Sequence, residues 1–194
     1  RRSKAARPLS VSLAAVPQGL YFSNSHSWTF MQKTGEARIG IDNLLVSLTG
    51  QVKLRMLREP GTRVSKGEEI SEIVHDGKRL TLLSPLSGTL TGINHALYED
   101  PSLLNDDPYG KGWLVSVKPA NWMEEVTGFH FAAEAGDWLR KELERIRDFL
   151  AISASRMSPQ PDTLYLQDGG EPAAEALASL PEEVWHDFQE KFLR

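Results

Sequence analysis

Two spacings of apolar residues divide the chain. From Gly19 to Val117 they come in short runs, many alternating with polar residues, broken every few positions by glycine or proline. That pattern predicts short strands: Tyr21-Phe22, Trp28 to Met31, Ala37 to Ile41, Val52 to Leu57, Val64, Ile70 to Val74, Leu80 to Leu83, Thr89 to Ile93 and Trp113 to Val117. Many short strands with close turn signals describe a small antiparallel sandwich or barrel. Two helical pieces interrupt it. One runs from Leu44 to Leu48, capped by Asp42 or Asn43 and closed by Gly50; the other is a single turn at Ser102-Leu103-Leu104.

The centre of the strand region is Gly67 to Gly88. Two β-type runs flank Asp76-Gly77, a pair suited to a two-residue type I′ turn because both positions need φ > 0. Ser84-Pro85 ends the outgoing strand, since proline brings no N–H to a ladder. The hairpin therefore carries Lys78 one residue past its tip.

Beyond Pro119 the period lengthens to that of helices. Asn121 with Glu124 reads as a capping box on a short helix ending near Gly128. Between Ala132 and about Ser155, Leu139, Leu143, Ile146 and Leu150 share one helical face, joined by Trp138 and Phe149. Ser158 to Asp162 reads as a linker. Two helices are expected after it, Pro172 to Leu180 and Pro181 to Leu193, the second with Val184, Trp185, Phe188 and Phe192 as its apolar stripe. The expected organisation is a basic arm over 1–20, a β-domain over 21–119 and an acidic helical extension over 120–194, which folds back on the sandwich or on itself. Val11 to Val16 in the arm reads as a partly ordered stretch or a short edge strand.

Charge sharpens this division and removes several function classes. The 194 residues carry a net charge of −4, but residues 1–20 hold four basic groups and no acid, while 120–194 hold 7 basic against 15 acidic groups. A nucleic-acid binder needs a basic, aromatic-bearing face, and the only basic cluster is the short arm. No apolar run reaches membrane-spanning length. Residues 1–20 lack the apolar core and cleavage site of a secretory signal; the chain opens at Arg1 rather than Met, leaving what precedes it open. The absence of cysteine removes disulfides, thiolate metal sites and a cysteine nucleophile, and fits a reducing, cytoplasmic setting. The five histidines (26, 75, 95, 130 and 186) show no paired i, i+4 spacing, so no metal site is expected. His75-Asp76 could pair a base with a carboxylate, but adjacent strand residues point to opposite faces. Ser84 and Ser87 have no base in view, and no glycine-rich phosphate loop occurs. The expectation is a non-enzymatic protein.

The segment Asn94 to Leu114 reads NHALYEDPSLLNDDPYGKGWL. With His26-Ser27-Trp28, Gly40-Ile41-Asp42, Pro60-Gly61-Thr62, Lys66-Gly67-Glu68 and Ser84 to Gly88, it resembles the H protein of the glycine cleavage system. That resemblance implies a mainly β, lipoyl-type barrel-sandwich hybrid, here with a helical C-terminal extension (α+β overall). In that family a lysine at the hairpin tip carries lipoic acid in amide linkage, and the dithiolane shuttles an aminomethyl group between glycine cleavage enzymes. The logic is a long arm on a rigid stalk, which raises the cofactor's effective concentration at several sites.

At the tip the chain departs from the family. Counting from either anchor, the family lysine falls on Gly77, and the three preceding positions are Val74, His75 and Asp76. Lys78 is displaced by one residue, and on a strand a one-residue shift turns a side chain to the opposite face. The leading expectation is an H-protein-like module with no bound cofactor, acting as a scaffold or regulatory partner of other proteins. The alternative is a lipoyl carrier in glycine cleavage or a related multienzyme pathway, with lipoyl on Lys78. A third reading makes the chain an assembly subunit that grips a larger protein through its acidic helices.

Overall fold

A computed structural model describes residues 9–157, 166–167 and 171–194. After one 3₁₀ turn at Val11–Ala14, in place of the edge strand the sequence also allowed, come β1 (Tyr21–Phe22), β2 (Ser27–Met31) and β3 (Ala37–Ile41). Next are α1 (Asn43–Thr49), β4 (Lys53–Met56), β5 (Arg63–Val64), β6 (Glu69–His75), β7 (Lys78–Leu83) and β8 (Gly88–Ile93). Then follow α2 (Ala96–Glu99), α3 (Leu103–Asp106), β9 (Val115–Pro119), α4 (Trp122–Glu125), β10 (His130–Phe131), α5 (Ala132–Met157) and α6 (Glu182–Phe192).

All strand pairings are antiparallel. One sheet runs β10-β1-β2-β3-β9-β8-β5, and a smaller one runs β4-β6-β7. Both are the short, turn-broken strands that the alternation predicts. Their inner faces share one core with α1, α5 and α6, including Phe22, Trp28, Ile39, Leu45, Ile73, Leu80, Leu139, Trp185 and Phe188. The fold is that of the mainly β sandwich with a helical C-terminal part. The change in residue pattern at Pro119 does not end the large sheet, because His130–Phe131 returns to pair with Tyr21–Phe22.

The C-terminal region corrects one expectation. Pro172 to Leu180 is not a helix: Glu171–Pro172 pairs with Leu166–Gln167, and 174–179 is a string of turns. Glu175 sits at φ 64°, and its N–H donates to Ser47 O at 2.7 Å while Leu177 N–H donates to Leu48 O at 3.1 Å. Backbone donors that a helix would use internally are spent on the last turn of α1, whose carbonyls otherwise lack partners. The expected linker at Ser158 to Asp162, and positions 1–8 of the arm, lie outside the described residues.

Candidate functional site

The hairpin tip forms as the sequence predicts. Asp76 and Gly77 have φ of 47° and 79°, and His75 pairs with Lys78 across the turn. Gly77 stands at the apex, and a Cβ built on it would meet nothing within 4 Å among the described residues. Asp76 points into solvent beside it, its carboxylate 3.4 Å from His75 Nε2.

Lys78 does not project from the tip. Strand alternation places it on the same face as Leu80 and Leu82, both buried. Its Nζ donates to the carbonyl oxygens of Ala178 and, at 2.9 Å, Leu180, and lies 5.4 Å from the centre of the Trp185 ring. His75, its cross-strand partner, stacks on the same indole at 6.3 Å and donates from Nδ1 to Gln51 O at 2.7 Å. Further along β7, Gln189 of α6 meets the strand edge with both ends of its amide. Thr81 N–H donates to Gln189 Oε1 at 2.7 Å, and Gln189 Nε2 donates to Thr81 O at 3.1 Å. Trp185 Nε1 donates to Leu177 O at 2.7 Å and ties the turns of 174–179 to α6. The flank of the hairpin is thus covered by the chain's own C-terminal segment.

A second polar constellation lies inside the fold. His26 is buried between Asp42 and Glu142, with Nδ1 2.6 Å from Asp42 Oδ2 and Nε2 3.0 Å from Glu142 Oε2. Burial alone would lower its pKa; the charge and hydrogen bond of Asp42, then those of Glu142, outweigh burial and push it up to about 9. Burial works against the Glu142 carboxylate as well, but the His26 and Arg145 partners hold it below its ordinary value. The other oxygen of Asp42 accepts from Leu45 N–H at 2.8 Å and caps α1. One imidazolium therefore joins β2, α1 and α5. Among the described residues no group of three or more histidine, aspartate or glutamate side chains is disposed to hold a metal ion.

The Asn94 to Leu114 loop spends its polar groups on the backbone. Asn94 Nδ2 donates to Lys111 O and Trp113 O, both at 2.7 Å, and Asn105 Nδ2 donates to Val46 O and Gly50 O, both at 3.0 Å. Asp107 Oδ2 accepts from Lys111 N–H at 2.8 Å, and Trp28 Nε1 donates to Pro108 O at 3.0 Å. Burial raises the Tyr109 pKa, and its hydroxyl accepts from Asn43 N–H at 3.0 Å. Trp28 in turn requires Gly40, where a Cβ would lie 2.3 Å from the indole.

This loop, the His26 triad and the hairpin lie in the part of the chain that known proteins share. The family model described as glycine cleavage H-protein matches residues 20–142. The chain belongs to this family. A probable glycine cleavage system H protein of Thermococcus kodakarensis is 33% identical over 125 residues, which is 64% of this chain and 92% of that protein. The H protein of Bifidobacterium longum is 37% identical over 103 residues, 53% of this chain and 74% of its own length. A solved H protein from Mycobacterium marinum superposes with a TM-score of 0.50 at 31% identity, covering 54% of this chain and 87% of that one. H proteins are carriers rather than catalysts, and this family member is a carrier-like or interaction protein, not an enzyme. As an H-protein family member it works through other proteins.

Three functional contacts escape a reading of the sequence, and two left a trace. Glu142 and Gln189 are polar residues set in apolar helical stripes, beside Leu139, Leu143 and Ile146 and beside Trp185, Phe188 and Phe192. A polar side chain that a helix buries must have a specific partner, which here is His26 or Thr81. The Lys78 cradle left no such trace, because its acceptors are main-chain carbonyls 100 and 102 residues away.

Proposed function

We propose that this chain is an H-protein-like module that carries no lipoyl group at the family position and serves as a scaffold or regulatory partner for proteins that recognise the H-protein surface. The observation that carries the reading is the apex itself. A lipoyl group needs a primary amine presented at the turn, and Gly77 supplies no side chain there. Lys78 supplies an amine on the wrong face, bound to two carbonyls and an indole. Hydrogen bonds from a charged donor are worth about 1.5–3 kcal/mol each, and acylation would abolish that charge. The residues present do not fit the family's prosthetic group, so its chemistry is not assigned to this chain. The absence of cysteine accords with a cytoplasmic role.

The test is an intact-mass measurement after co-expression with a lipoate ligase and, separately, after treatment with purified ligase, ATP and lipoate. The expected result is an unchanged mass. A lipoyl adduct mapped to Lys78 would overturn the reading and make the chain a working carrier, the alternative that the lysine one residue from the apex favours.

A further inference from the structure

We infer that residues 173–193 form a built-in cover over the hairpin, one that a protein presenting main chain to the outer edge of β7 must displace in order to bind. The inference rests on the reading above, and names what controls access to the same hairpin.

The cover is one unit, since Trp185 Nε1 binds Leu177 O and so fastens α6 to the turns that precede it. Beyond the apolar face of Trp185, Phe188 and Phe192 that α6 buries in the shared core, it makes polar contacts at three places, two on the hairpin and one on α1. At the tip end, two of its carbonyls, those of Ala178 and Leu180, receive the Lys78 amine. In mid-strand, the Gln189 amide offers an acceptor and a donor to the N–H and C=O of Thr81, which is how a neighbouring strand would meet that residue. At the far side, the N–H groups of Glu175 and Leu177 bind the carbonyls of Ser47 and Leu48 at the end of α1.

β7 is the outer strand of the β4-β6-β7 sheet, so its free edge is where a partner could add main-chain hydrogen bonds. The family match ends at residue 142, well before the cover begins. The part of the chain common to H proteins therefore contains the hairpin without the segment that seals it. Cover and partner would compete for the same donors and acceptors, so a protein that binds the β7 edge pays first for opening the cover.

Two measurements on the full chain decide the matter. In amide hydrogen exchange, Thr81 and the helical amides of α6 should exchange together and at least tenfold faster than Ile39 and Val117 in the large sheet, because the cover opens while the sheet stays closed. In limited acylation with an amine-reactive ester, mapped by mass, Lys78 should react at least tenfold more slowly than exposed Lys53, and Gln189→Ala should narrow that gap. Exchange of α6 only at the rate of Ile39 and Val117 would overturn the cover, as would Lys78 reacting as fast as Lys53. These wild-type comparisons hold whether or not the variant folds. A lipoyl adduct on a chain whose cover opens independently would remove the functional reading above and leave the cover standing.

Discussion

The loop from Asn94 to Trp113 and the tip of the β6–β7 hairpin treat their polar groups in opposite ways. In the loop, Asn94, Asn105 and Asp107 bind backbone within the barrel, and each hydrogen bond closes a turn or ends a helix. At the tip and along β7, Lys78, His75 and Thr81 reach out of the barrel to the C-terminal segment and its Trp185 and Gln189. The loop follows the family's residue pattern and builds the scaffold. The polar groups of the hairpin face a segment outside the family match. The loop's contacts hold the scaffold together; those of the hairpin tie it to the C-terminal segment.

The comparison can be broken most forcefully from the scaffold side. His26→Ala should cost about 3–5 kcal/mol in denaturant unfolding, because it leaves two buried carboxylates without their shared cation. The pH profile carries the same signature. His26 is raised in the folded state, so its contribution is complete below its ordinary 6.5 and is lost as pH climbs through about 9. Glu142 is lowered, so its contribution is complete above its ordinary 4.5 and is lost only in more acidic solution. Stability from this triad should therefore be greatest between these two ordinary values and fall from neutral pH to pH 9; a profile equally steep in His26→Ala would show that the triad is not its source.

Asn94→Ala comes next, at about 1–3 kcal/mol, since it strips the side-chain donor from two loop carbonyls. Thermal unfolding of the variant measures it, and a change under about 0.5 kcal/mol would show that the loop holds itself without that amide. The smallest effect belongs to the tip. A Cβ at Gly77 meets nothing within 4 Å among the described residues, so the expected cost of Gly77→Lys is the strain of an L-residue at φ 79°, about 1–2 kcal/mol. A loss well above that would mean that the apex is more constrained than the loop, and would reverse the contrast.

Much of the scaffold was legible in the sequence because its signals are local. Alternation from Ala37 to Ile41, Asp76-Gly77 between β-type runs, Asp42 before Leu44 and the stripe of Val184, Trp185, Phe188 and Phe192 each predict an element that the structure contains. The turns of 174–179 were not legible, because their geometry is set by carbonyls on α1 more than a hundred residues earlier. The same limit hid the triad, whose histidine and glutamate are 116 residues apart. The Asp76-Gly77 turn signal placed Gly77 at the apex, and period-two alternation placed Lys78 off it. What sequence could not supply was the acceptor waiting for the displaced amine.

The pairing of Gln189 with Thr81 has a consequence for the protein's behaviour in concentrated solution. An outer β-strand with vacant hydrogen-bonding groups is a template on which another molecule's strand can align, and repeated alignment is the start of aggregation. Here a single carboxamide occupies both groups of Thr81, so the same contact that seals the hairpin also guards against uncontrolled self-association.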